Sequence, residues 1–133
     1  AEDRVGRHRA SLSYNWKRFF DNGCVVAAGS DSPVEDFNPM LGIDGAVNRR
    51  DWNEQPEEGW FPEQRITVEQ AVSAFTTGAA YANYEENIKG SIEPGKFADL
   101  VVLSDDIFAV DKDSIKDIKV EKTLIGGKVV FSM

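Results

Sequence analysis

An α/β fold is predicted by three features of the sequence. Ser11 to Asp21 has helical spacing, Cys24 to Gly29 is a short apolar run without alternation, and the periodicity turns from helical to strand-like near residue 90. A helix followed at once by an unbroken apolar run is the pattern of a strand buried on both faces of a parallel sheet. With 133 residues the chain has the size of one domain, enough to bury roughly two-thirds of its unfolded surface.

The first helix carries Leu12, Trp16, Phe19 and Phe20 on one face and stops at Asn22-Gly23. In the strand read from Cys24-Val-Val-Ala-Ala-Gly29, the single cysteine is expected to be a buried, reduced thiol. The strand ends at Gly29-Ser-Asp-Ser-Pro33, which sets polar side chains at its carboxyl end, the edge where α/β barrels carry their active sites. A weaker helix spans Met40 to Arg50, and the polar loop Asp51 to Gln64 has Trp52 and Trp60 as its anchors. Thr67-Val-Glu-Gln70 is a capping box with Ile66 as its staple, opening a helix whose apolar face is Val68, Ala71, Val72 and Phe75. Gly78-Ala-Ala80 breaks that helix or admits another element, and a further short turn carries Tyr81 and Tyr84. Pro94-Gly95 is a turn, Ala98 to Leu103 a strand, and Val120 to Ile125 with Lys128 to Phe131 a hairpin on Gly126-Gly127, both glycines taking positive φ.

Composition excludes several classes of function. Acidic residues number 23 against 15 basic ones, a net charge of −8, which repels a nucleic-acid backbone. The excess is no tail, since residues 1–66 hold 12 acids and 8 bases and residues 67–133 hold 11 and 7. No apolar stretch approaches the ~20 residues of a membrane span, and the first residues have no apolar signal region, so a soluble, cytoplasmic protein is expected, without membrane or nucleic-acid partners. One histidine and one cysteine cannot build a zinc site from those residue types alone.

Candidate chemistry narrows to few residues. Gly90 to Lys96 matches G-x-x-x-x-G-K, but Phe97 stands where a hydroxyl binds magnesium, Pro94 removes a donor and a strand follows, so a simple turn is expected. Asp111, Asp113 and Asp117 lack the glycine and oxygen ligands of a calcium loop, Ile115 and Lys116 standing in those positions. His8, among Arg4, Arg7 and Arg9, could join Ser30 or Ser32 and Asp31 in nucleophilic catalysis, although no G-x-S-x-G elbow accompanies them. On spacing alone Asp31 reads first as a turn aspartate accepting local backbone N–H groups. Its second reading is a carboxylate in a cleft at the sheet edge.

Gly29-Ser-Asp31-Ser-Pro33, Gln64-Arg-Ile-Thr-Val-Glu-Gln-Ala71 and Gly90-Ser-Ile-Glu-Pro-Gly-Lys-Phe-Ala-Asp-Leu-Val-Val-Leu103 occur in one chain, in that order. With Asp3-Arg-Val-Gly6, Tyr14-Asn-Trp16, Asn48-Arg-Arg50 and Gly126-Gly-Lys-Val-Val-Phe131 they cover almost the whole sequence. Together they resemble the C-terminal portion of the amidohydrolase superfamily, and within it amidohydrolase family 3. The resemblance implies a metal-dependent (β/α)8 barrel joined to a small β-sandwich and hydrolysis of C–N bonds. On that view residues 1–89 are the last barrel segment, with its last helix, strand 8 and following helices. Residues 90–133 supply the C-terminal strands of the composite sandwich.

Asp31 then matches the strand-8 aspartate, a metal-site residue that accepts a proton from metal-bound water and passes it to the leaving group. The remaining ligands of the implied divalent ion, zinc by the resemblance, have no counterpart here, and a complete barrel takes roughly 250 residues. The chain is therefore expected to be inactive alone, needing the missing N-terminal part of the barrel before it meets a small-molecule substrate. Two alternatives stand beside this one: a non-catalytic module that self-associates through Trp16, Phe19, Phe20 and open sheet edges, and a small serine hydrolase using His8.

Overall fold

The computed structural model describes residues 2–133. Two single-turn helices, α1 (Glu2–Val5) and α2 (Arg7–Ala10), are followed by α3 (Trp16–Asp21), α4 (Pro39–Asn48), α5 (Val68–Phe75) and α6 (Thr77–Ala82). Strands β1 (Leu100–Leu103), β2 (Val120–Ile125) and β3 (Lys128–Ser132) form one antiparallel sheet in the order β1-β2-β3. Short 3-10 turns lie at Pro62–Gln64 and Lys112–Asp117. Among the described residues no helix is long and apolar enough to cross a membrane.

The helix expected over Ser11 to Asp21 is shorter than its apolar spacing implied. Tyr14 has a positive φ of 53°, which interrupts the helical path. Asn15 then caps α3 by accepting from the Arg18 N–H, and Asn22 and Gly23, the latter at φ 74°, end it. Leu12 and Phe19 stay exposed, while Trp16 and Phe20 reach the core.

Cys24 to Gly29, expected as a buried strand, has no strand geometry. A strand exists only through its ladder, and among the described residues no strand lies beside this segment. Its backbone instead makes two separate bonds, from the Cys24 N–H to the Phe19 carbonyl and from the Ala28 N–H to the Ala74 carbonyl, both at 3.0 Å. The thiol of Cys24 is correspondingly exposed, not buried.

Helix α4 forms where a weaker helix was expected. Asn38 caps it, Pro39 supplies the preset φ of a first turn, and it stops at Arg49 in the left-handed region, φ 56°. The capping box of α5 is complete: the Thr67 side chain accepts from the Gln70 N–H at 3.2 Å, and the Gln70 side chain accepts from the Thr67 N–H at 2.9 Å. The β2–β3 turn uses Gly126 and Gly127 at φ 55° and 77°, as two consecutive positive φ values require. Register shifts interrupt both ladders, between Val102 and Leu103 and between Thr123 and Leu124.

The core forms where α4 packs on the Lys112–Asp117 turn. Met40, Ile43, Ala46 and Val47 from α4 meet Ile107, Ile115 and Ile118, with Ile66 and Ala71 closing the cluster from the start of α5. The buried cluster thus draws on both sides of residue 90. The sheet contributes little, since β3 is exposed along its length and Val101, Val129 and Val130 are more than half exposed.

Ile115 has no exposed surface. Ile115→Ala should therefore lower stability by about 2–4 kcal/mol, read from urea unfolding.

Candidate functional site

Asp31 sits on a tight turn immediately after the irregular segment Val26 to Ser30. The turn is closed by the Val34 N–H donating to the Asp31 carbonyl (2.9 Å) and the Glu35 N–H donating to the Ser30 carbonyl (3.2 Å). Asp31 adopts φ 51°, a conformation that aspartate tolerates better than most non-glycine residues. The local acceptor expected of Asp31 is supplied by its neighbour: the Ser30 hydroxyl oxygen accepts from the Ser32 N–H at 3.2 Å. Asp31 is exposed, and its carboxylate receives no hydrogen bond among the described residues.

The Val26–Ser30 segment is fixed by the end of α5. The last carbonyls of a helix lack intrahelical partners, and here each of three finds one outside the ladder. Val72 accepts from the Thr76 hydroxyl (2.8 Å), Ser73 from the Thr77 hydroxyl (3.2 Å) and Ala74 from the Ala28 N–H (3.0 Å). At Gly78 the backbones come so close that a Cβ would lie 2.0 Å from the Val26 carbonyl oxygen. The expectation that Gly78 admits another element is met, and that element is the segment leading to Asp31.

A cavity of about 870 Å³ opens between this segment, α4 and the Lys112–Asp117 turn. Gly29, Ser30 and Glu35 line its edge beside the Asp31 turn, and Asp44, Asn48 and Arg50 line its α4 side. Asn48 is only 2% exposed; its Nδ2 donates to Asp44 Oδ1 and to the Lys112 carbonyl, both at 2.9 Å. Arg50 pairs with Asp113 at 3.2 Å, and Lys116 pairs with Glu54. Burial raises the Asp44 carboxyl above its ordinary range, against the hydrogen bond from Asn48 and the charge of Lys116. Sequence reasoning missed Asp44; the signal was the polar pair Asp44 and Asn48, four apart within an apolar helix.

Arg49 was also missed as a buried group. It is 6% exposed, donates through Nε to the Trp60 carbonyl (2.6 Å) and through Nη1 to the Tyr14 carbonyl (2.8 Å), and stacks near Trp16 and Trp60. Burial lowers the pKa of this guanidinium, with the charge of Glu63 opposing. Trp60 is thus the anchor expected of it, packing edge to face on Tyr14 and Phe61. Trp52, expected as a second anchor, is 69% exposed, because the Asp51–Gln55 loop turns on backbone bonds to the Asp51 carboxylate and not on an apolar contact.

Of the other sequence candidates, His8 lies exposed on α2, its carbonyl accepting from the Ser11 hydroxyl. Lys96 donates to Ser91 at 2.6 Å within the turn before β1. The Asp111 carboxylate accepts from the Asp113 N–H and caps the 3-10 turn. Among the described residues no group of three or more His, Cys, Asp and Glu side chains is placed to share a metal ion. Asp31 brings a single carboxylate, so this donor set does not fit a metal centre by itself.

Two outcomes follow. Arg49→Lys keeps the charge but loses the planar fork and the stacking, and should cost about 2–3 kcal/mol in urea unfolding. Asp44 holds its proton longer when folded than when unfolded, so its contribution to stability is present below the ordinary value of 3.8 and is lost as pH rises through the raised folded value. Asp44→Asn should gain on the parent chain as pH climbs from 3.8, then hold a constant difference, in unfolding measured at several pH values.

The sequence model described as the amidohydrolase family matches residues 1–131. A Bacillus subtilis relative named amidohydrolase YtcJ is 36% identical over 129 residues, covering 97% of this chain and 24% of its own length. The Arabidopsis thaliana protein LONG AFTER FAR-RED 3 is 36% identical over 134 residues, covering 96% and 22%. An N-substituted formamide deformylase of Arthrobacter pascens is 29% identical, covering 84% and 20%. Among solved structures, a metal-dependent hydrolase from Pyrococcus horikoshii has a TM-score of 0.70 at 27% identity, covering 84% of this chain and 23% of its own. A Thermotoga maritima amidohydrolase has 0.65 at 24%, covering 88% and 25%, a likeness of fold. The chain spans about a quarter of the length of these relatives. The match from the first helix to the last strand makes this chain a member of the amidohydrolase family.

Proposed function

We propose that the chain forms the C-terminal portion of a metal-dependent amidohydrolase that hydrolyses C–N bonds of small molecules, with Asp31 as its proton acceptor and donor. The observation that carries this reading is family membership over residues 1–131 together with an exposed carboxylate at the end of the Val26–Ser30 segment. No neighbouring donor is described on that carboxylate, which leaves it open to take a proton from an attacking water and return it to the leaving nitrogen. Coupling the two transfers through one side chain avoids expelling a strongly basic amine anion. The divalent ion, zinc by the same reading, would meet Asp31 here and take its other ligands from side chains outside this chain, because no group of three donors is placed together among the described residues.

In this reading residues 1–89 are the closing segment of a barrel, and the Val26–Ser30 segment gains its ladder from neighbouring strands outside the chain. Residues 90–133 form the C-terminal share of a composite sandwich, a reading supported by the apolar side chains left open on β1 and β3. The names of two relatives, N-substituted formamide deformylase and imidazolonepropionase, suggest substrates whose scissile C–N bond lies in an amide or an imidazolone.

The test is an assay of N-substituted formamides and imidazolones with added zinc. In the longer polypeptide, Asp31→Asn should lower kcat at least about 100-fold with a small change in KM. The 133-residue chain alone should be inactive. Unchanged kcat in the variant would remove Asp31 from the chemistry, and Asp31-dependent turnover by the isolated chain would overturn its incompleteness.

A further inference from the structure

The turn that carries Asp31 leaves its carboxylate uncommitted. An aspartate in a tight turn ordinarily accepts a backbone N–H from the residue two positions on, and its carboxylate is then spent on local structure. Two positions after Asp31 stands Pro33, which has no N–H to give. The other nearby donors go elsewhere: the Ser32 N–H to the Ser30 hydroxyl oxygen at 3.2 Å, the Val34 N–H to the Asp31 carbonyl at 2.9 Å and the Glu35 N–H to the Ser30 carbonyl at 3.2 Å. From Ser32 to Glu35, every backbone donor is therefore absent or bound to another acceptor. None of the ion pairs among the described residues includes Asp31 either.

Only one of these bonds depends on a side chain. Backbone carbonyls are present whatever the sequence, whereas the Ser32 N–H has its acceptor because residue 30 carries a hydroxyl. That bond spans the residue held at φ 51°, a left-handed conformation that residues other than glycine keep only where the surroundings over-determine it. Loss of the hydroxyl has two effects. The constraint on Asp31 weakens, and the freed Ser32 N–H becomes a donor one residue from the carboxylate. Either effect moves or occupies the group that is to meet an attacking water, and a displacement of about 1 Å can cost about 100-fold in rate.

We propose that Ser30 is a positioning residue for Asp31: its hydroxyl takes the local N–H that competes for the carboxylate and fixes the turn from which that carboxylate is presented. This rests on the reading of Asp31 as proton acceptor and donor, and adds that the preceding residue governs how well Asp31 performs. Ser30 makes and breaks no bond to substrate. Its hydroxyl oxygen serves as an acceptor, a different use from that of a nucleophilic serine, so its effect falls on kcat and not on substrate binding.

The experiment is a double-mutant cycle in the longer polypeptide with added zinc, assayed on N-substituted formamides and imidazolones. Ser30 lies outside the buried cluster, so Ser30→Ala removes a local bond without opening the core. It should lower kcat about tenfold with KM within about twofold of the parent. Ser30→Thr keeps a hydroxyl and should recover at least about half of the parent kcat. In an Asp31→Asn background, Ser30→Ala should change kcat by less than about twofold, because a residue that acts through another loses its effect with it. Parent-like kcat in Ser30→Ala, a Ser30→Thr loss as deep as that of Ser30→Ala, or the same tenfold loss repeated in the Asp31→Asn background would overturn the inference while Asp31 keeps its role. Unchanged kcat in Asp31→Asn alone, or no turnover of either substrate class by the parent, would instead remove the reading on which the inference rests.

Discussion

Burial of the Arg49 guanidinium is the constraint that organises the N-terminal two-thirds of the chain. An arginine cannot shed its proton to escape an apolar site, so each buried donor left unanswered is costly. Here the answers are carbonyls from distant segments, Tyr14 before α3 and Trp60 in the long loop, with the Trp16 and Trp60 rings against the cation. The Arg49 backbone closes the same junction, its N–H donating to Gly45 and its carbonyl accepting from Trp60. One residue in a left-handed conformation thus ends α4 and fastens the N-terminal aromatic segment and the loop to it. Nη2 remains buried without a partner, a cost that the two carbonyls and the two rings offset.

From that junction the fold builds outward in two directions. Along α4 the apolar face reaches Ile107, Ile115 and Ile118, and the Asn48 amide bridges helix to turn through the Lys112 carbonyl. Across α4, Ile66 and Ala71 dock α5, whose unfilled C-terminal carbonyl at Ala74 captures Ala28. Gly78 lets the two backbones touch. The position of Asp31 therefore depends on a helix end and a glycine far from it in sequence, a chain of backbone contacts and not of catalytic side chains.

Local chemistry was legible wherever the physics is local. The Thr67–Gln70 capping box, the Gly126-Gly127 turn and the Asn22-Gly23 stop were readable because each is decided by a few adjacent residues. Three features were misread for the opposite reason. The Cys24–Gly29 run is a strand only if other strands flank it, Cys24 is buried only if that strand is, and Trp52 anchors its loop only if an apolar surface faces it. Around the candidate site, Asp31 was singled out from its place after an apolar run and from family resemblance. Asp44 and Arg49 were passed over, since a charged residue at a helix end is ordinarily solvated and only its surroundings reveal otherwise.

By itself the sequence determined the family, the Thr67–Gln70 cap and the hairpin, and put Asp31 forward as a candidate, because these are written in residue order and short-range geometry. The tertiary structure decided which charges are buried and that the Val26–Ser30 segment lies against α5 and α6 without a ladder. Burial and charge balance are properties of what surrounds a side chain, and the surroundings of Asp44 come from segments up to seventy-two residues away, at Lys116.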